Sequence, residues 1–191
     1  MGTVDCDKEE QMSELVARTG RHQQRYEDGC RLVAGCIPFR YRSFSESGGV
    51  ESEKVVEVLM INSNSGPGLL FPKGGWENDE TVEEAARREA MEEAGVKGDI
   101  LGCLGYYNFK SKTLQDEYSP EGLCRAAMFA LFVKEELQSW PEKATRQRRW
   151  LTIPEALYNC RHPWMHLALE EGFIKWLANW SPNADNENNK H

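Results

Sequence analysis

Three glutamates in the middle of the chain, Glu89, Glu92 and Glu93, have the spacing of one helical face. Residues at i, i+3 and i+4 lie side by side on an α-helix, so three negative charges there repel one another. A hard divalent cation such as Mg²⁺ or Mn²⁺ would remove that repulsion, because it prefers oxygen ligands and keeps further positions for water and phosphate. The spacing therefore favours metal-assisted phosphate chemistry over a solvated acidic surface.

The residues around these glutamates predict the helix that must carry them. Residues 82–94 are rich in good helix formers, and their apolar positions are mostly alanine, which predicts close packing against a sheet. Thr81 followed three residues later by Glu84 predicts a capping box at the start of the helix. Gly95 falls where a left-handed residue is expected to end it.

The segment before the helix contains a pair of glycines, Gly74 and Gly75. It reads as the end of a strand that breaks into a glycine loop. Glycine allows backbone conformations closed to other residues and lets a ligand approach the backbone closely. Lys73, one residue before the pair, could reach a phosphate beside the metal. We therefore count Lys73, Gly74 and Gly75 as candidate substrate-binding residues.

The segment from Gly74 to Val96 resembles the Nudix box. It has glycine, five residues, Glu80, seven residues, Arg88-Glu89, an aliphatic, one residue, Glu92-Glu93, one residue, glycine and an aliphatic. The chain is thus identified as a member of the Nudix hydrolases, which implies an α/β fold, an α/β/α sandwich with a central mixed β-sheet. The resemblance also implies hydrolysis of a phosphoanhydride bond with Mg²⁺ or Mn²⁺ as cofactor.

The same resemblance assigns roles within the box. Glu89, Glu92 and Glu93 are the metal ligands it implies, and the catalytic residues are Glu93, Glu92 and Arg88. Glu93 is the general base in this assignment. We expect Arg88 to hold a carboxylate through a bidentate pair instead of touching substrate. Glu80 is an outer or structural position.

Segments outside the box indicate a narrower resemblance. Residues 20–41, 71–98, 146–150 and 160–165 are similar to the diphosphoinositol and diadenosine polyphosphate phosphohydrolases, especially the plant members of that branch. This resemblance implies removal of the β-phosphate from diphosphoinositol polyphosphates, with diadenosine polyphosphates as second substrates. Some members of the branch have a third glycine where this chain has Lys73. The resemblance therefore does not extend to which phosphate is removed.

A substrate with many phosphates is a dense anion and needs several cationic side chains. Besides Lys73, the candidate ligands are Arg25, Arg31, Arg125, Arg146 and His162. Trp76 could stack on a nucleobase, although packing is the favoured interpretation of this residue.

Two other functions remain open at this point. An ADP-ribose or nucleotide-sugar pyrophosphatase would need an aromatic base pocket and fewer cations, so the arginine-rich flanks favour the inositol pyrophosphate hypothesis over it. A non-catalytic module would bind inositol pyrophosphates without releasing phosphate.

Length and composition set the domain organisation. The 191 residues, 40% of them hydrophobic, suit one domain. We predict a Nudix domain over 21–180 between flexible segments at 1–20 and 181–191. Strands are expected over 31–42, 54–62, 99–109, 124–136 and 146–153, a short strand at 69–72, and helices over 154–160 and 166–180.

Charge and cysteine usage predict the setting of the protein. The net charge of −8 argues against a nucleic-acid partner, and six scattered cysteines without a CxxC pair suit a reducing compartment. No apolar run reaches membrane-spanning length. The acidic first residues differ from a secretory signal or transit peptide. We therefore expect a monomer that binds a small, highly phosphorylated substrate in the cytoplasm, with the nucleus as a second location.

Overall fold

The computed structural model describes residues 16–20, 22–44 and 53–180. The predicted flexible tail at 181–191, and residues 1–15 of the predicted flexible N-terminal segment, lie outside this part of the chain. Those two predictions stay untested.

The described strands form one mixed β-sheet, as predicted. They are β1 (Tyr26–Glu27), β2 (Cys30–Phe44), β3 (Glu53–Asn62), β4 (Leu69–Leu70), β5 (Lys73–Gly75), β6 (Val96–Lys110), β7 (Leu123–Glu136) and β8 (Arg148–Thr152). The central order is β4-β3-β2-β7-β6, while β1 and β5 also pair with β2, and β8 pairs with β3. Strands β2 and β7 run parallel, and the other pairs are antiparallel.

The helices follow β5 and β8. They are α1 (Val82–Ala94), α2 (Ile153–Asn159), α3 (Pro163–Leu167), a π-helical segment (Ala168–Ile174) and α4 (Lys175–Asn179), with a 3₁₀ turn at Lys112–Leu114. The helix predicted over 166–180 therefore begins three residues earlier, and its central segment is π-helical instead of α-helical. At Gly172 it lies against β6 so closely that a Cβ would be 2.6 Å from the Tyr107 hydroxyl.

Two side chains of β2 show that helices cover both faces of the sheet. Successive residues of a strand alternate between faces, so Cys36 and Phe39 point in opposite directions. Burial, with the nearby carboxylates of Glu93 and Glu89, raises the pKa of the Cys36 thiol, which places Cys36 under α1. The Phe39 ring packs 5.3 Å from Phe173 in the C-terminal helix. The α/β/α sandwich is thereby confirmed.

The predicted glycine loop is wrong in one respect, because Lys73–Gly75 is a strand. Gly74 and Gly75 pair antiparallel with Ala34 and Val33 of β2. The segment forms backbone hydrogen bonds with β2. Because its two glycines have no side chains, residues from other parts of the chain can lie directly over them. The glycines are therefore held at a fixed position in the sheet.

Candidate functional site

Helix α1 is fixed at both ends. The Thr81 hydroxyl accepts a hydrogen bond from the Glu84 N–H at 3.2 Å, and the Glu84 carboxylate accepts one from the Thr81 N–H at 2.7 Å. The predicted capping box is therefore confirmed, as is the left-handed Gly95, with φ of 63°. Arg148 of β8 donates to the carbonyl oxygens of Gly95 at 2.8 Å and Ala94 at 3.3 Å. The positive charge of Arg148 interacts favourably with the negative, carboxyl-terminal end of the helix dipole.

The Arg88 guanidinium joins α1 to the segment before it. It donates two hydrogen bonds to the Glu80 carboxylate, at 2.7 and 2.9 Å. It also donates to the carbonyl oxygen of Gly75 at 2.8 Å and to Oε1 of Glu89 at 2.7 Å. The bidentate pair expected for Arg88 is thus formed with Glu80, the residue that the sequence treated as an outer position.

Glu89 lies directly over Gly74. A Cβ on Gly74 would be 2.1 Å from Oε1 of Glu89, so any other residue would displace this carboxylate. Burial and the charge of Glu93 raise the pKa of Glu89 to about 8, against the lowering effect of Arg88. The missing side chain of Gly74 therefore sets the position of one predicted metal ligand.

Glu93 is held from two directions. Its Oε2 accepts the backbone N–H of Lys73 at 3.0 Å, and its Oε1 accepts an Arg146 N–H at 3.1 Å. Burial raises the pKa of Glu93, while Lys73 and Arg146 oppose that rise. Arg146, which the sequence placed among the substrate ligands, therefore contacts a predicted catalytic carboxylate. It also donates to Glu142 at 3.1 Å and to the carbonyl oxygen of Asn62 at 2.8 Å.

Glu92 receives a contact that the sequence did not indicate. Its Oε1 accepts the backbone N–H of Arg18 at 3.3 Å, from a residue 74 positions earlier in the chain. The Arg18 guanidinium also pairs with Glu77 and, at 3.0 Å, with Asp79. Arg18 falls in the segment predicted to be flexible, and no local pattern could have indicated such a distant contact.

The three carboxylates supply the oxygen donors of the predicted metal site. Glu89, Glu92 and Glu93 are 8%, 5% and 8% exposed. Within the described residues no three His, Cys, Asp or Glu side chains converge closely enough to hold an ion, and arginines and backbone N–H groups hold these carboxylates individually. Nevertheless Glu93 raises the pKa of Glu89, so the surrounding cations leave a repulsion that a further cation would relieve. Carboxylate oxygens suit Mg²⁺ and Mn²⁺, and the donor set therefore fits the expected cofactor.

Lys73 acts electrostatically in the surroundings of two other predicted substrate ligands, His162 and Arg31. Burial and the charges of Lys73 and Arg161 lower the pKa of His162. Burial raises the pKa of Cys124, and the charges of Arg31 and Lys73 oppose that rise. Lys73, Arg31 and His162 therefore share one electrostatic neighbourhood, which we call the cationic group. Arg31 is held there by a 2.8 Å hydrogen bond to Gln24.

Arg25 holds the loop after β5 together. Its guanidinium donates to the carbonyl oxygens of Glu77, Asn78 and Glu80 at 2.8 to 3.1 Å. It also covers the Trp76 ring at 4.5 Å from the centroid. The structure thus gives Arg25 a loop-stabilising contact, and its expected contact with substrate stays a prediction.

A cleft of about 880 Å³ lies beyond Trp76, and the sequence did not indicate it. Its lining includes Tyr26, Trp76, Tyr106, Tyr118 and the predicted substrate ligand Arg125. Arg125 pairs with Glu27 at 3.0 Å, away from the three carboxylates. We call this region the aromatic cleft.

Comparisons with known proteins agree with this architecture. The model of the NUDIX domain matches residues 50–177. Nudix hydrolase 16, mitochondrial, of Arabidopsis thaliana is 71% identical over 86% of this chain and 92% of its own length. Diphosphoinositol polyphosphate phosphohydrolase 3-alpha of Mus musculus is 32% identical over 71% of this chain and 74% of its own length. A solved Ap4A hydrolase of C. elegans has the same fold, with a TM-score of 0.54, 20% identity and coverage of 78% of this chain and 98% of that one.

The expected cytoplasmic or nuclear location is wrong by this comparison. Besides Nudix hydrolase 16, the Arabidopsis Nudix hydrolases 12 and 13 are named mitochondrial, and each is 53% identical to this chain. They cover 84% and 87% of this chain and 81% and 85% of their own lengths. The prediction depended on the acidity of the first residues, which is only an indirect signal of location. In the described part of the chain, no helix combines the length and apolarity needed to span a membrane.

Proposed function

The chain belongs to the NUDIX domain family, and on that premise we propose that it hydrolyses phosphoanhydrides with the aid of Mg²⁺ or Mn²⁺ held by Glu89, Glu92 and Glu93. The observation that carries the proposal is the burial of these three carboxylates on one face of α1. Burying like charges is costly unless they are paired or coordinate a metal, and the partial pairing here leaves room for a cation.

Each residue of the site has a defined task in this proposal. A divalent cation, when bound, neutralises phosphate oxygens and lowers the pKa of a coordinated water. Glu93 is the proton acceptor in this proposal, as the Nudix resemblance implies, and burial raises its pKa. Arg146 and the Lys73 N–H orient Glu93. Arg88 fixes Glu89 relative to β5 through Glu80 and the Gly75 carbonyl.

We propose diphosphoinositol polyphosphates as the principal substrates, with removal of the β-phosphate. The cationic group supports this choice, because Lys73 links it to the catalytic carboxylates. The Lys73 backbone holds Glu93, while the charge of the same residue acts on His162. A phosphate bound by this group would therefore lie at β5, the strand whose Lys73 N–H holds Glu93. The 32% identity to the mouse diphosphoinositol polyphosphate phosphohydrolase 3-alpha adds support.

A second candidate is the hydrolysis of diadenosine polyphosphates, and the aromatic cleft favours it. Exposed aromatic rings in a cleft suit a nucleobase more closely than an inositol phosphate. ADP-ribose hydrolysis uses the same kind of recognition and is therefore the main competing outcome.

The test is a substrate panel with the wild type, Glu93→Gln and the control Glu171→Gln. The panel contains a diphosphoinositol polyphosphate, a diadenosine polyphosphate and ADP-ribose, each with Mg²⁺ and with Mn²⁺. We expect Glu93→Gln to lower kcat at least about 100-fold, the usual contribution of a general base, while its melting temperature stays close to that of the wild type. The exposed Glu171 on the C-terminal helix should be silent. Near wild-type turnover by Glu93→Gln would contradict the proposal, and wild-type binding without phosphate release would indicate a non-catalytic module.

We also propose a mitochondrial location, from the names of the similar Arabidopsis proteins. The full chain with a carboxyl-terminal fluorescent tag should coincide with a mitochondrial marker in Arabidopsis cells. A diffuse signal across the cell would contradict this assignment.

A further inference from the structure

We propose that the aromatic cleft binds a planar ring attached to the phosphate chain of the substrate, with Tyr106, Tyr118 and Arg125 selecting it. The ligand class is a purine nucleotide, supplied by a dinucleoside polyphosphate or by ADP-ribose. The inference rests on the proposed function and adds a ring-binding subsite to it.

The register of the sheet places this cleft on the same face as the carboxylates. Gly74 pairs with Ala34, Ala34 with Ala127, and Ala127 with Tyr106, so these four residues form one row across β5, β2, β7 and β6. Residues directly opposite in neighbouring strands point to the same face. Glu89 covers Gly74 on that face, and Tyr106 ends the row. Three strand spacings of about 4.8 Å separate them by about 14 Å, which an extended nucleoside polyphosphate can span.

Tyr106 is exposed because the strand is irregular at this point. The pairing of β6 with β7 shifts between Cys103 and Gly105, and Gly105 has a φ of 128° that favours glycine. A bulge of this kind redirects the side chain that follows it. The Tyr106 side chain is accordingly 67% exposed although it lines the cleft.

Tyr118 reaches the cleft from an ordered loop. Oδ1 of Asp116 accepts the N–H groups of Tyr118 at 3.0 Å and Ser119 at 2.8 Å, while Oδ2 accepts the Tyr26 hydroxyl at 2.5 Å. The Tyr26 ring lies 5.1 Å from the Tyr118 ring, which is still 61% exposed. The loop therefore presents an aromatic face to the cleft at little ordering cost.

The other residues of the cleft narrow the ligand class. Trp76 is fixed, since its indole N–H donates to the Glu80 carbonyl at 2.9 Å and Arg25 covers its ring. Arg125 pairs with the exposed Glu27, an interaction that contributes little and can give way to a phosphate. Among the described residues that line the cleft, the cations are Arg25 and Arg125, and Arg25 already serves the loop. Aromatic rings with one recruitable cation suit a nucleotide better than a densely phosphorylated ring.

Binding of AMP tests the subsite without turnover, because AMP contains no phosphoanhydride bond. Ribose 5-phosphate is the matched ligand without the base. Calorimetry should show saturable AMP binding to the wild type, about tenfold weaker binding to Tyr106→Ala, and wild-type binding to Tyr106→Phe, since stacking needs the ring and not the hydroxyl. Ribose 5-phosphate should bind all three equally. No binding of AMP to the wild type, equal AMP binding to Tyr106→Ala, or an equal loss for ribose 5-phosphate would each overturn the proposal.

Steady-state kinetics with each substrate show whether the bound nucleotide comes from a dinucleoside polyphosphate or from ADP-ribose. Tyr106→Ala should raise KM about tenfold for whichever of diadenosine polyphosphate and ADP-ribose the wild type cleaves, and leave KM for a diphosphoinositol polyphosphate unchanged. An equal rise for the inositol substrate would overturn the subsite. If Tyr106→Ala binds AMP more weakly than the wild type but no substrate is hydrolysed, the proposed function fails and the subsite stands. If the wild type hydrolyses its substrates and all Tyr106 variants bind AMP equally, the subsite fails and the proposed function stands.

Discussion

The carboxylate site and the aromatic cleft share one face of the sheet but are built in different ways. Glu89, Glu92 and Glu93 are buried, and each has a hydrogen-bond donor within 3.4 Å. Tyr106 and Tyr118 are more than half exposed, and Arg125 has an exposed partner. Rigid, buried groups suit a reaction that must be repeated on the same bond, whereas exposed, loosely paired groups suit recognition of the rest of the molecule.

The two regions also differ in the length of chain that supplies them. Most of the carboxylate site comes from Lys73–Glu93, whereas the aromatic cleft draws on residues from β1 and the segment before it, from β2, β6 and β7, and from two loops. Substitutions in the first region should therefore affect every substrate, and those that remove its buried ion pairs should also lower the stability of the fold. Substitutions in the second should affect some substrates and leave the fold intact.

The largest effect is expected from Arg88→Ala. Removing the guanidinium leaves the buried Glu80 and Glu89 without their shared cation, a change that typically costs about 3–5 kcal/mol. Chemical denaturation should show this loss of unfolding free energy, and turnover of all substrates should fall. The exposed neighbour Arg87→Ala is the control and should change the unfolding free energy by less than about 0.5 kcal/mol. A loss below about 1 kcal/mol for Arg88→Ala would show that the network does not hold the site together.

A smaller effect is expected from Gly74→Ala. The added methyl group would lie 2.1 Å from Oε1 of Glu89 and must displace that carboxylate. We expect kcat to fall about 100-fold for every substrate, the effect of misplacing a catalytic group by about 1 Å. The stability cost of Gly74→Ala should disappear in a Glu89→Ala background, because the clashing atoms are then absent. A cost that persists in that background would place the clash elsewhere.

The smallest effect is expected from Arg125→Ala. Its exposed pair with Glu27 contributes roughly 0–1 kcal/mol, so the melting temperature should change little. Steady-state kinetics should show a severalfold rise in KM for the nucleotide substrate and none for the inositol substrate. Glu27→Gln frees the guanidinium and should not raise either KM. Equal KM changes for both substrates would remove the distinction between the two regions.

Much of the fold could be predicted because local signals determined it. The capping box at Thr81 and the glycine at position 95 set the limits of α1, and alternating or continuous apolar residues indicated the long strands. Strand β5 was missed because its pairing with β2 depends on residues about 40 positions away, and glycines are weak strand formers. The π-helical segment of the C-terminal helix was not predicted. It lies where Gly172 contacts β6, and a contact between distant parts of the chain has no local sequence pattern.

The site could be predicted only where it is continuous in sequence. The spacing of residues across the whole box indicated the Nudix family, which the family model confirms, and the expected bidentate pairing of Arg88 with a carboxylate is also confirmed. Arg18 and Arg146 reach the glutamates through tertiary contacts that have no sequence pattern. Tyr106 was missed because a bulge, and not its residue type, exposes it.

The division between the carboxylate site and the aromatic cleft is tested most directly by kcat/KM for a diadenosine polyphosphate and a diphosphoinositol polyphosphate in the wild type, Glu93→Gln and Tyr106→Ala. We predict that Glu93→Gln lowers both values by the same factor, so their ratio is unchanged. We expect that Tyr106→Ala lowers only the dinucleotide value, so the ratio falls about tenfold. A ratio that changes in Glu93→Gln, or one that is unchanged in Tyr106→Ala, would contradict the division between the site that breaks the bond and the cleft that selects the molecule.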